Sequence, residues 1–289
     1  MRTAAQDKIQ KLYHYETFHP ERLHDILSNN RVWVSSPADF NDPWDFKFDY
    51  DVASLADPTI VEKEVRGYID VTYQRMRGMP LKEIFARAKQ YRDDPKMLAE
   101  RAQEAAVVIT LQAQNQYRVY CTASRWDCQL MWAHYGGKHT GICLEYATDN
   151  PVFSAAMAVE YRDDYPNFRL FAKDDVADTD VERAFTAKSS AWAYEREYRV
   201  VAQERAHATA HPTLVAEGNY LAIPRESLTA IVVGCAANAD TVRGVARLLV
   251  ETKHPAVMRR LERSKSKYEL VAREQHLPRN LISARTFAE

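Results

Sequence analysis

Trp192-Ala-Tyr-Glu-Arg-Glu-Tyr-Arg199 is the stretch on which the reading of this chain turns. The run is β-prone, and in a strand the two glutamates at i and i+2 project from one face. Arg199 lies on that face by the same count, while Tyr194, Arg196, Tyr198 and Val200 point the other way. Neighbouring carboxylates repel unless a cation joins them. Such a cluster suits binding a cation or steadying a developing positive charge, and an exposed strand with solvated Glu–Arg pairs carries the same pattern.

Outward from this stretch, further strand-like runs are Leu12–Tyr15, Arg31–Ser35, Tyr117–Cys121, Gly141–Tyr146, Ala158–Tyr161, Tyr220–Ile223, Ile231–Val233 and Tyr268–Ala272, with Glu195–Ala202 as the strand at the centre of the argument. A helix after Pro20 carries the apolar stripe Leu23, Ile26 and Leu27 and ends at Asn29-Asn30. Ser36 to Trp44 is a loop rich in residues that bond their own backbone or fix φ, and it bears aromatics. Between 57 and 116 the character changes: Asp57-Pro58, Met79-Pro80 and Asp94-Pro95 mark three helix starts, two with Asp as a natural cap. A short helix is expected from Gln129 to Tyr135, another capped by Asn238 or Asp240 and running through Val250, and a further one after Pro255. Regular βαβ alternation and glycine-rich phosphate motifs are missing, which argues against Rossmann and P-loop domains. The expected fold is α+β: one domain over 1–289 with a mixed, mostly antiparallel sheet, a helical insertion at 57–116 and a C-terminal αβ portion at 219–289.

Composition sets the outer bounds. With 289 residues, 46% hydrophobic and 27% charged, the chain has the make-up of an ordinary globular protein, and a formal charge of −1 gives no global attraction to nucleic acid or anionic membrane. Any nucleic-acid contact must then be a local patch. No apolar run approaches the ~20 residues that a spanning helix requires, and Met1 to Gln10 lacks a signal-peptide core, so a cytoplasmic location without membrane partners is expected. Cys121, Cys128, Cys143 and Cys235 do not form a disulfide framework. Cys121 and Cys128 lie near His134 and His139 in the chain, but without a C-x-x-C clip no metal site is assigned.

Three segments stand out together: Leu12-Tyr-His-Tyr15 with Ser35-Ser-Pro37 and Phe40-Asn-Asp-Pro43 plus Asp45; Cys121-Thr-Ala-Ser124 through Met131-Trp132, His134-Tyr135, His139 and Gly141; and Lys188 with Trp192 to Arg199. In order and wording they resemble a widespread uncharacterised bacterial family, domain of unknown function family 2971, whose pattern runs "LYKY", "SSP..FNDP.D", "MW.HYA..H.G" and "K...W.YE.E.R". The resemblance spans about Leu12 to Val201. The chain departs from it at His14, where the family has Lys, and at Gly136, where it has Ala.

At the level of element order the chain is also similar to ADP-ribosyltransferases, whose sheet cleft holds NAD. That likeness implies an ADP-ribosyltransferase-like core, with NAD as substrate and an unknown protein or nucleic-acid acceptor. Breaking the nicotinamide–ribose bond passes through an oxocarbenium-like state that a carboxylate stabilises. Glu197 takes that role, and Glu195 accepts a proton from the attacking group. Tyr13 or His14 bonds the adenosine-side ribose, Tyr135 stacks on nicotinamide, Ser124 braces Glu197, and Trp132 shares the helix that walls the pocket.

Each assignment has a structural counterpart. A His beside a Tyr on a strand is commonly a satisfied core group, Trp132 and Tyr135 at i and i+3 fit a packed helix face, and Asn41, Asp42 and Asp45 suit a turn. The first expectation is NAD-dependent ADP-ribosyl transfer or NAD cleavage, in a setting such as stress response or phage defence. The alternatives are a non-catalytic module that binds a nucleotide or protein, and a metal-dependent nuclease or phosphohydrolase using Asp42, Asp45, Glu195 and Glu197 with His134 or His139.

Overall fold

The computed structural model describes residues 2–75, 78–171, 183–207 and 214–275. In chain order the elements are β1 (Lys11–Glu16), α1 (Pro20–Asn29), β2 (Arg31–Trp33), β3 (Asp49–Tyr50), α2 (Pro58–Arg75), α3 (Leu81–Asp93), α4 (Pro95–Gln116), β4 (Tyr117–Ala123), α5 (Gln129–His134), β5 (Ile142–Ala147) and α6 (Pro151–Ser154). They continue as β6 (Met157–Ala158), β7 (Glu160–Arg162), β8 (Asn167–Phe168), β9 (Ala187–Ser189), β10 (Glu197–Glu204), β11 (Val215–Ala216), β12 (Tyr220–Ala222), β13 (Leu228–Val233), α7 (Ala239–Thr252), β14 (Val257–Arg263) and β15 (Leu270–Glu274). The fold is α+β, with a mixed and mostly antiparallel main sheet. Among the described residues no helix is long and apolar enough to cross a membrane.

Two compact units divide the chain: 40–115 with 160–189, and 2–39 with 116–159 and everything from 190 onward. The first unit holds α2, α3 and most of α4, together with the short parallel pairs β3/β8 and β7/β9. Its core brings Val61, Val65, Ala88, Tyr91 and Leu98 together. The caps read from sequence are made: Asp57 accepts from the Thr59 N–H at 2.8 Å and Asp94 from the Lys96 N–H at 3.1 Å.

The second unit is built on the sheet ordered β11-β10-β4-β1-β5-β13-β14-β15, with β6 also on β10. Only β10/β11 and β13/β14 are parallel along this path. One face of the sheet, with Leu12, Leu144, Tyr198, Val200 and Ile231, packs with Leu23, Ile26 and Leu27 of α1 and Val245, Leu248 and Leu249 of α7. The opposite face carries Tyr13, Tyr15, Ala123 and Cys143 and is covered by Met131 and Trp132 of α5. Asn30 ends α1 in the left-handed region at φ 50°, the conformation for which its short polar side chain is suited.

Two local expectations are corrected. The residues after Pro255 form the strand β14, not a helix, because Met258 and Leu261, spaced like a helical stripe, instead sit in a strand paired in parallel with β13. Tertiary pairing overrides a weak local period there. The strand read from Glu195 starts at Glu197: Ser190–Glu195 is a 3-10 helix and Arg196 sits at φ 47°, so the chain kinks between the two glutamates.

Candidate functional site

The carboxylates of the 192–199 stretch are buried in the second unit, each on its own support. Beyond the Arg196 kink, β10 alternates as a strand must, with Tyr198, Val200 and Ala202 entering the α1/α7 core and Glu197 and Arg199 on the other face. Arg199 is fully buried and clamps Glu197 with two bonds, Nε to Oε1 at 2.8 Å and Nη2 to Oε2 at 3.0 Å. A bidentate guanidinium–carboxylate pair of this kind is strong and geometrically selective. Backbone bonds fix the bend: the Ser124 N–H donates to the Arg196 carbonyl at 3.0 Å, and the Val159 N–H to the Glu197 carbonyl at 2.9 Å.

Glu195 is equally buried, at the end of the 3-10 turn. It accepts the Tyr135 hydroxyl at 2.8 Å. Tyr135 is the residue after α5, so this bond ties the helix to the stretch before β10. Above it lies an aromatic cluster: the rings of His134, Trp192 and Tyr194 stand 6.0 to 6.4 Å apart. His134 is exposed and the other two are half-buried, which leaves part of the cluster open to solvent.

The remaining predicted residues divide by sheet face. Tyr13 pairs with Ala123, and Ala123 with Glu197, so Tyr13 shares the face of Glu197. His14 points to the opposite face, where it pairs with Leu144 and stacks on Tyr120 at 4.3 Å. The sheet itself separates His14 from Glu197. Its Nδ1 lies 2.7 Å from the Cys121 carbonyl, and burial lowers its pKa to about 4, so near neutral pH the ring is uncharged and donates through Nδ1. His14 is a half-buried group held by the Cys121 carbonyl and the Tyr120 ring. Trp132 is fully buried, packs edge-on to Tyr15 at 5.2 Å and donates its indole N–H to the Trp126 carbonyl at 2.7 Å, so it serves the core and not a ligand. Ser124 contributes its backbone N–H, and its hydroxyl makes no bond to Glu197 among the described residues.

In the first unit, Asp42 shapes a turn, accepting the Trp44 N–H at 2.9 Å. Asp45 is buried, accepts the Phe46 N–H at 2.9 Å and lies 3.7 Å from the Lys188 ammonium. Among the described residues no three His, Cys, Asp or Glu side chains gather as metal ligands, and all four cysteines are free.

The side chains that hold Glu195 and Glu197, and the aromatic cluster beside them, lie within 131–200. Residues 131–200 match the model of Protein of unknown function (DUF2971). The DUF2971 stretch begins inside α5 and ends in β10, and so includes Tyr135, the aromatic cluster, both carboxylates and Arg199. No curated protein and no solved structure matches the chain.

The DUF2971 stretch also contains a buried charge that its residue pattern had not singled out. Glu145 of β5 is almost wholly buried and is bonded by Lys11, by the Thr229 hydroxyl at 2.8 Å and by Arg259 at 2.6 Å. The signal available was a single acid inside the apolar run Ile142–Ala147. Desolvation pushes this carboxyl up, but the bonds and charges of Lys11, Thr229 and Arg259 outweigh it and hold the pKa below the usual carboxylate value. A depressed folded-state pKa contributes stability above the unfolded value that is lost as pH falls through the folded one. The wild type should therefore lose stability below the ordinary carboxylate range, and Glu145→Gln should flatten that acid limb in urea melts taken from pH 6 to pH 3. An unchanged limb would remove Glu145 from the account.

Proposed function

We propose that the DUF2971 stretch presents a nucleotide-recognition surface, with His134, Trp192 and Tyr194 as the platform on which a base stacks. The observation that carries this reading is the division of labour around the cluster. Glu197 is held by Arg199 within β10, and Glu195, held by Tyr135, is the strut that ties the 190–195 turn to the end of α5, while the aromatic rings keep part of their surface in solvent. Tyr and Trp give large contact area for little conformational entropy, and stacking on such rings accepts any base.

A second reading keeps the chemistry of NAD cleavage or ADP-ribosyl transfer. In its favour, Tyr135 and Glu195, both assigned to that chemistry, are neighbours 2.8 Å apart. Against Glu197 as the oxocarbenium stabiliser stands the guanidinium that already neutralises it. Releasing one partner of a buried pair costs roughly 3–5 kcal/mol. Glu195 is then the carboxylate this route would use, with NAD as its substrate.

One experiment separates the two. Titration of NAD, ATP and AMP into the protein, followed by intrinsic fluorescence and thermal shift, should show binding that Trp192→Ala weakens about tenfold or more, since stacking on one ring contributes ~1–3 kcal/mol per base. Nicotinamide release is followed in the same samples. Release that disappears in Glu195→Gln would replace recognition by glycosyl transfer, and the absence of any nucleotide response would overturn both.

A further inference from the structure

Where the chain leaves α5 it passes through Gly137, Lys138 and His139, all in the left-handed region. Two consecutive non-glycine residues in that region are uncommon and are held there only by their surroundings. The His139 N–H donates to the Trp132 carbonyl at 3.1 Å, and just past β13 the Gly234 N–H donates to the Gly141 carbonyl at 2.9 Å and the Ala236 N–H to the His139 carbonyl at 3.0 Å. Glycine is required at 234, where a Cβ would stand 2.1 Å from the His139 oxygen. The turn is thus anchored to the end of β13, and Lys138 is carried on a rigid support.

Facing this turn is the loop 264–269 that joins β14 to β15. Between them lies an open cleft of about 930 Å³ lined by Lys138, His139, Arg263, Lys265, Lys267 and Tyr268. Four of these six side chains are permanent cations, in a chain whose formal charge is −1. Glu269 also lines the cleft and lies 3.9 Å from Lys267, whereas Lys138, Arg263 and Lys265 make no ion pair among the described residues. In the same wall the buried Nδ1 of His139 has no hydrogen-bond partner among the described residues. Buried polar atoms are nearly always satisfied, so an unsatisfied one in a cleft wall is notable.

The loop is prearranged. The Ser264 hydroxyl accepts the N–H groups of Ser266 and Lys267 at 3.4 and 3.3 Å, and the Gln129 amide at the start of α5 holds the Tyr268 carbonyl at 2.5 Å. With its backbone pinned in this way, the Tyr268 side chain still stands 97% exposed beside the cations. An aromatic ring held in solvent contributes no packing.

We propose that this cleft binds single-stranded nucleic acid, with backbone phosphates on Lys138, Arg263, Lys265 and Lys267 and a base stacked on Tyr268. Cations that flank an aromatic platform are the arrangement by which single strands are held without reading sequence. Lys265 and Lys267 alternate along the loop and so offer successive phosphates a contact, where a free nucleotide would use one. The site stands on residues separate from the aromatic platform near Glu195, and either can fail without the other.

The test is fluorescence anisotropy at low salt with labelled twelve-nucleotide uridine RNA, thymidine DNA and a duplex of the same length. Binding of a single strand in preference to the duplex is expected, and the RNA and DNA arms name the source. Lys265→Glu with Lys267→Glu should weaken it at least tenfold and lower the slope of log K against log salt by about 1.4, which is ~0.7 for each lost phosphate contact. Tyr268→Ala should weaken it about fivefold or more, the lower end of one lost stacking contact. Thermal melts confirm that these exposed substitutions leave the fold intact. No binding, preference for the duplex, insensitivity to Tyr268→Ala, or an equal loss with the first-unit pair Arg66→Glu and Lys89→Glu would overturn the proposal.

Discussion

Arg199→Ala is expected to destabilise the protein by roughly 3–5 kcal/mol, the cost of leaving a buried carboxylate without its cation. Arg199 is fully buried in the sheet and Glu197 nearly so, so water cannot readily replace the guanidinium. For a chain of 289 residues a kcal/mol moves Tm by about 2–4 °C, which puts the loss on the order of 10 °C. The double variant Glu197→Gln with Arg199→Met should lose less than Arg199→Ala alone, because no uncompensated charge remains. Urea or thermal melts of the singles and the double close the cycle. A loss below about 1 kcal/mol for Arg199→Ala would mean that Glu197 finds other support, and the strut role assigned to the pair would fall.

Glu16→Gln is expected to act in the opposite direction, and only above acid pH. Glu16 ends β1, buried, 3.6 Å from the Arg22 guanidinium. Burial raises its pKa to about 7, and the attraction of Arg22 offsets this only in part. Between the unfolded value of 4.5 and about 7 the folded state holds the proton that the unfolded state has released. Stability therefore falls as pH rises across that window and levels off above it. The gap corresponds to roughly 3 kcal/mol at 1.36 kcal/mol per pH unit. Glutamine keeps the shape and never ionises, so the variant should melt higher than the wild type at pH 8 and together with it at pH 4. A constant difference at both pH values would show that Glu16 does not titrate on unfolding.

The α+β class and most elements were legible because alternation and caps agree there with the final packing. Pro20 and Asn30 bound α1, Asp57 and Asp94 cap their helices, and β10 alternates from Glu197 onward. What was not legible depended on pairing between distant segments. Nothing in Val257–Arg263 announces a strand until β13 is beside it, and the kink at Arg196 is a backbone choice that the E-R-E pattern does not reveal. For the site, the pairing of Glu197 with Arg199 followed from period two, and the Tyr135 hydroxyl meets Glu195. His14 was not, because neighbours in sequence point to opposite faces of a strand and only the register tells which face is which. Glu145 and the basic cleft were missed for the same reason: their partners come from separate stretches of the chain.

The place of β1 in the sheet has a consequence for how the chain is made. Its residue Tyr13 is bracketed by Ala123 on one side and Glu145 on the other, so a strand translated early has to wait for partners translated much later. Loop closure over that distance must be met before any ladder bond repays it, which places the sheet among slow, non-local folders. Until β4 and β5 have emerged, Leu12, Tyr13 and Tyr15 have no native partner strand, and they form the stretch that a chaperone or an aggregating neighbour would meet on the ribosome.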